Sequence, residues 1–71
     1  MVYERIRNLR EDNDLTQHFI ADYLHCSQVS YSYYELGRRD IPVSILIKLA
    51  DFYGCSTDYL LGLTDKKERN L

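Results

Sequence analysis

The sequence predicts an all-α fold, a compact bundle of five short helices, and three observations carry that prediction. Thr16, Ser27 and Ser56 each stand just ahead of a stretch with helical apolar spacing. Their hydroxyls can accept from the free N–H groups of a first helical turn. Asn13-Asp14, Gly37 and Gly54 stand where such stretches should stop. Seventy-one residues form one small domain. A chain of this size buries only about 60% of its extended surface, so its core must be local.

The first helix is expected over residues 2–12, with Ile6 and Leu9 inward and Glu4, Arg7 and Glu11 outward. Asn13 and Asp14 favour a turn and break it. The second runs from Gln17 to Leu24 behind the Thr16 cap and offers Ile20, Ala21 and Leu24 to a core. Ala21 is small enough for another helix to cross closely. His25 and Cys26 form a tight joint, and Ser27 caps a third helix from Gln28 to Leu36.

At about 100° per residue, Gln28, Val29, Ser32, Tyr33 and Leu36 share one arc of that third helix. Ser30, Tyr31, Tyr34 and Glu35 share the other. The second arc holds the two rings best able to fill a core, so the first should face out. Gly37 then ends the helix in the left-handed manner.

The fourth helix should open at Asp40-Ile41-Pro42, with Asp40 as cap and Pro42 in the first turn, and end at Tyr53. Ser44, Lys48 and Asp51 form a narrow polar stripe; Val43, Leu46, Leu49, Ala50 and Tyr53 lie opposite, flanked by Ile45, Ile47 and Phe52. A helix this apolar is central or partly covered by a partner. Ser56 caps a short fifth helix whose Tyr59, Leu60 and Leu61 close the core. Residues 1–63 thus make the folded domain, and 64–71 a charged tail expected to fray.

At 45% hydrophobic and 28% charged residues the composition is that of a soluble globular protein. No apolar run approaches the roughly 20 residues of a membrane span, and no secretory leader is evident. Cytoplasmic residence is the expectation. Enzymatic readings find no support. The three glycines, Gly37, Gly54 and Gly62, form no phosphate loop, and no metal-ligand pair is spaced i, i+4. His18 and His25 read as surface histidines, Cys26 and Cys55 as buried, inert thiols. Neither cofactor, metal nor small-molecule ligand is called for.

Leu15-Thr16-Gln17, Ile20-Ala21, Ser27-Gln28, Tyr34-Glu35-Leu36-Gly37-Arg38-Arg39, Leu46-Ile47-Lys48-Leu49-Ala50 and Cys55-Ser56-Thr57-Asp58-Tyr59-Leu60-Leu61-Gly62 occur in this order. In order and spacing they resemble the phage-repressor-like (Cro/cI, XRE) helix-turn-helix family across residues 3–62. The chain departs from it at His25, where the family most often has glycine, and at Cys26 and Cys55, where it usually has small apolar residues. The resemblance implies a fold of the lambda-repressor-like DNA-binding type and double-stranded DNA as partner. It also implies a phosphate contact for Gln17 and a pairing of Arg10 with Glu35.

In such a unit the second helix of the pair enters the major groove and the first crosses the backbone. Gln28 could then pair with adenine, and Val29 could pack on a thymine methyl. Ser32 and Tyr33 follow along the groove, and Ser27 stands at the start of the same helix. Gln17 lies where first-turn N–H groups attract an anion. Arg38 and Arg39 can reach the DNA backbone. Glu35 falls on the inward arc, where an unpaired carboxylate would be costly, and Arg10 can meet it in a structural salt bridge.

The function this supports is a sequence-specific DNA-binding transcriptional regulator, a repressor acting as a homodimer. Helix 4, Ile41 and residues 61–63 are the candidate dimer surfaces. The net charge of −2 weighs against it, although local charge governs a contact surface. Asp12, Asp14, Asp51, Asp58 and Asp65 lie outside the two-helix unit. The alternative is a protein-interaction module, such as an antitoxin-like or anti-repressor partner. It draws on the acidic balance and on Tyr31, Tyr33 and Tyr34, because tyrosine is at home in protein interfaces.

Overall fold

The structure, a computed structural model, describes residues 2–68. It contains α1 (Glu4–Asp12), α2 (Gln17–Leu24), α3 (Gln28–Leu36), α4 (Val43–Tyr53) and α5 (Thr57–Leu60). Three of the starts share one device. The Thr16, Ser27 and Ser56 hydroxyls accept from the N–H of Phe19, Ser30 and Tyr59 at 3.0, 3.1 and 3.0 Å. Each satisfies a donor that a helix start would otherwise leave open.

Three of the ends share another. His25, Gly37 and Gly54 close α2, α3 and α4 with φ of 57°, 73° and 65°. The next N–H then returns to a carbonyl five residues back: Cys26 to Ala21, Arg38 to Tyr33 and Cys55 to Ala50. His25 holds the left-handed geometry despite its Cβ, at a cost of about 1–2 kcal/mol.

Ile6, Leu9, Ile20, Ala21, Leu24, Tyr31, Tyr34, Ile45, Leu49, Ala50, Cys55 and Leu60 form one core. Every helix contributes to it. Ala21 is buried in α2, which packs against α3. Phe52 of α4 adds a ring contact to Phe19 at 6.2 Å and to Tyr23 at 4.8 Å, tying α4 to α2.

The start of α4 differs from expectation. Pro42 occupies the cap position, its carbonyl accepts from Ile45 and Leu46, and no side chain caps the helix, so Asp40 does not. Proline disfavours helical geometry in the residue before it. Ile41 is therefore kept out of the helix, which starts at Val43. Val43 also leaves the expected apolar face and is 70% exposed, whereas Ile45 is buried. At 100° per residue Val43 lies at the edge of the arc centred on Leu49 and Tyr53, and in the first turn. α1 starts at Glu4, two residues later than expected, with no side-chain cap at Tyr3.

Past α5, Arg5 donates to the carbonyls of Tyr59 and Thr64, pairs with Asp65 and stacks on the Tyr59 ring at 4.2 Å. The Ser56 N–H donates to the Lys67 carbonyl at 3.1 Å. Residues 64–67 of the expected frayed tail are thereby held, and 69–71 lie outside the described residues. No described helix is long and apolar enough to cross a membrane.

Replacing His25 with glycine should remove the left-handed strain and return part of the gain as unfolded-chain entropy. Thermal or urea unfolding should show a net stabilisation of about 1 kcal/mol. A loss would mean that the imidazole itself holds the turn.

Candidate nucleic-acid interface

The outward arc of α3 stands free of the core. Gln28 and Val29 are exposed, Val29 at 60%, and Ser32 and Tyr33 are half-buried. Together with Gln17 these four line one open depression of about 390 Å³. Leu36, on the same arc, is also exposed, while Tyr31, Tyr34 and Glu35 face inward and are buried. The α2–α3 joint produces this arrangement, because it sets the first turn of α2 beside the exposed ridge of α3.

Glu35 fixes how α3 is turned. Its carboxylate is 6% exposed and is met from two other helices. Arg10 of α1 donates Nε to Oε2 at 2.7 Å and Nη2 to Oε1 at 3.1 Å. Gln17 of α2 donates Nε2 to Oε1 at 3.1 Å. Arg10 also donates to the Leu15 carbonyl at 2.8 Å, which braces the α1–α2 turn. Burial alone would push the Glu35 carboxyl up, but these hydrogen bonds outweigh it and hold it below the ordinary carboxylate range.

The Tyr31 hydroxyl lies beside the same carboxylate but outside hydrogen-bonding geometry. Burial pushes that phenol well above its usual range. The Tyr53 hydroxyl is likewise buried without a hydrogen bond, and burial pushes it up to about 12.

Gln17 thus has a task the sequence did not disclose. Its amide supports Glu35, eighteen positions away, and no local pattern signals a partner at that distance. One amide hydrogen is used this way, and an amide nitrogen carries two. At the same end of α2 the N–H groups of Gln17 and His18 precede the capped Phe19 N–H. This is the positive end of the helix.

Among the described residues, Arg5, Arg7 and Arg10 each meet a carboxylate: Asp65, Glu11 and Glu35. Arg38 and Arg39, just past α3, make no ion pair there and are exposed. Arg39 instead donates Nη1 to the Ser30 Oγ at 3.3 Å and lies over the Tyr33 ring at 5.4 Å. Ser30 was not among the residues expected here, although the wheel puts it beside Tyr33. Ser27 caps α3 and is exposed.

Other groups offer little chemistry. Among the described residues no three His, Cys, Asp or Glu stand together as metal ligands. Cys55 is buried as expected, but Cys26 is only half-buried, and burial pushes its thiol up, away from the reactive thiolate. His18 and His25 are exposed, and His18 Nε2 lies 3.4 Å from Asp22.

A helix-turn-helix family model matches residues 6–60, the stretch that holds all five helices' cores and the α2–α3 joint. The chain belongs to the phage-repressor-like (Cro/cI, XRE) helix-turn-helix family. It is similar to several proteins of Bacillus subtilis (strain 168), among them YobD, ImmR and AnsR. The uncharacterized HTH-type transcriptional regulator YobD is 38% identical over 65 residues, 92% of this chain and 58% of YobD. The HTH-type transcriptional regulator ImmR is 34% identical over 67 residues, 94% of this chain and 53% of ImmR. The HTH-type transcriptional regulator AnsR is 31% identical over 68 residues, 96% of this chain and 59% of AnsR. The chain therefore spans a little over half the length of these relatives.

Two outcomes follow from the Glu35 cluster. Arg10→Met strands a buried carboxylate and should cost about 3 kcal/mol in urea unfolding, whereas Arg10→Met with Glu35→Leu should cost less than Arg10→Met alone. The second concerns pH. The folded-state pKa of Glu35 is depressed, so its stabilising contribution is complete above the ordinary carboxylate value of about 4.3 and drains away as pH falls below it. The stability gap between the wild type and Glu35→Gln should narrow across that range. A constant gap in acid titrations of unfolding would contradict the depressed pKa.

Proposed function

We propose that this chain is a sequence-specific DNA-binding transcriptional regulator that sets α3 into the major groove. One observation carries the reading. Gln17, Gln28, Val29, Ser32 and Tyr33 line a single open depression on the face turned away from the core. An α-helix about 10–12 Å across fits a groove about 12 Å wide. Gln28 then faces base edges, where its amide can pair with adenine, and Val29 supplies an apolar surface for a thymine methyl. Gln17 and the free N–H groups of α2 take one phosphate. Arg38 and Arg39, which pair with no carboxylate among the described residues, take others. The relatives, transcriptional regulators by name, support the same class.

One unit reads few base pairs, so we assign a homodimer on a two-fold site with half-sites about one helical turn apart. Val43 and Ile47, one turn apart on α4, and Leu63 supply exposed apolar surface for it. A bound dimer blocks the DNA beneath it by occupancy alone, which makes repression the simplest outcome. The rival reading, a tyrosine-based protein-interaction surface, loses its main support. Tyr31 and Tyr34 are buried, and only Tyr33 reaches the surface of α3.

Selection from random duplex DNA should recover a two-fold symmetric motif, with a preference of about 1–3 kcal/mol at one pair per half-site that Gln28→Ala abolishes. Affinity should fall steeply with salt. Recovery of no motif, or binding indifferent to salt, would return the case to a protein partner.

A further inference from the structure

At 100° per residue, Glu35 and Gln28 lie on one flank of the exposed ridge of α3, and Ser30 and Tyr33 on the other. The first flank faces the start of α2, because Gln17 reaches Glu35 there at 3.1 Å. The second flank is taken by Arg39. Its chain leaves the helix at Gly37, and its guanidinium folds back nine positions to the Ser30 hydroxyl at 3.3 Å and over the Tyr33 ring at 5.4 Å.

The acceptor is itself fixed. The Ser27 hydroxyl donates to Ser30 Oγ at 3.0 Å while capping the Ser30 N–H at 3.1 Å. Both groups holding the guanidinium are neutral, and among the described residues no carboxylate pairs with it, in contrast to Arg5, Arg7 and Arg10. One of its five N–H donors serves Ser30; the remaining fork suits the paired oxygens of a phosphate. A long side chain ordered before contact loses less freedom on binding.

We infer that Arg39 is a preorganised clamp for a DNA phosphate on the side of the groove opposite the α2 start, and that Tyr33 and Ser30 are the positioning residues that hold it ready. This rests on the reading of α3 as the groove helix. The two flanks thus work differently. One offers backbone N–H groups at a helix end, and the other a planar cation stacked on a ring. Lysine keeps the charge but neither stacks as a plane nor forks, so it cannot replace Arg39 here.

A double-mutant cycle on the full chain tests this, using the duplex recovered by selection with the wild type. Arg39→Lys should weaken binding about two- to fivefold when Tyr33 is present. In the Tyr33→Leu background the same change should have almost no effect. Arg39→Ala should lower the slope of log affinity against log salt by about one. Equal losses in both backgrounds, or an unchanged slope, overturn the clamp while leaving the groove reading intact. If the wild type enriches no duplex, the groove reading fails and the clamp falls with it.

Proton NMR of the free protein supplies a readout without DNA. The Arg39 side-chain methylene signals should be shifted upfield and relax to ordinary values in Tyr33→Leu. Ordinary values in the wild type would overturn the brace. Should Tyr33→Leu fail to fold, Ser30→Ala takes its place in the cycle, with a smaller but still non-additive effect expected.

Discussion

A carboxylate that is 6% exposed survives inside a small protein only if its charge is answered, and Glu35 is answered from two directions. Arg10 brings two donors from α1 and Gln17 one from α2. The three helices cannot rotate independently while those bonds hold. Replacing a buried ion pair with apolar residues often costs little stability, so its use here lies in geometry more than in energy. With Glu35 pinned beneath, Gln28, Val29, Ser32 and Tyr33 have only the outer side left to occupy. Arg10 extends the restraint to the α1–α2 turn through the Leu15 carbonyl.

The same economy of charge explains how an acidic chain can leave positive charge uncompensated beside α3. Among the described residues three arginines are spent on carboxylates within the fold, and the two that follow α3 are not. Net charge sums over all of them and hides the difference. Potential at a contact surface depends on nearby, uncompensated groups, because salt screens the rest beyond about 8–10 Å. The −2 total therefore describes the molecule's behaviour at a distance, while Arg38 and Arg39 govern what it meets at close range.

Much of the fold was readable because it rests on short-range rules. A hydroxyl cap or a glycine stop involves four or five neighbouring residues; α2, α3 and α5 begin by such a cap, and α3 and α4 end by such a stop. The rotation of α3 was readable too, since two large rings and one carboxylate on a single arc leave little choice. Contacts set by the path of the chain were not. Nothing local to Gln17 announces Glu35, and nothing local to Ser30 announces Arg39. α4 misled at its start because the restriction Pro42 places on Ile41 outweighed the capping tendency of Asp40. Its apolar girth also left Val43 without a decisive side. The contacts of Arg5 with Thr64 and Asp65 were not legible either, because charge alone reads as solvent-loving.

Arg5 fastens the stretch around Thr64 and Asp65 to the first turn of α1 and to α5. The two ends of the described chain therefore lie side by side, joined like a clasped bracelet. Tension travelling along the backbone past Asp65 meets that clasp first and is absorbed by α1 and α5. The helix that carries Gln28 is tied to that circuit through Arg10 and Glu35, so a pull that turned α1 would reach its aim.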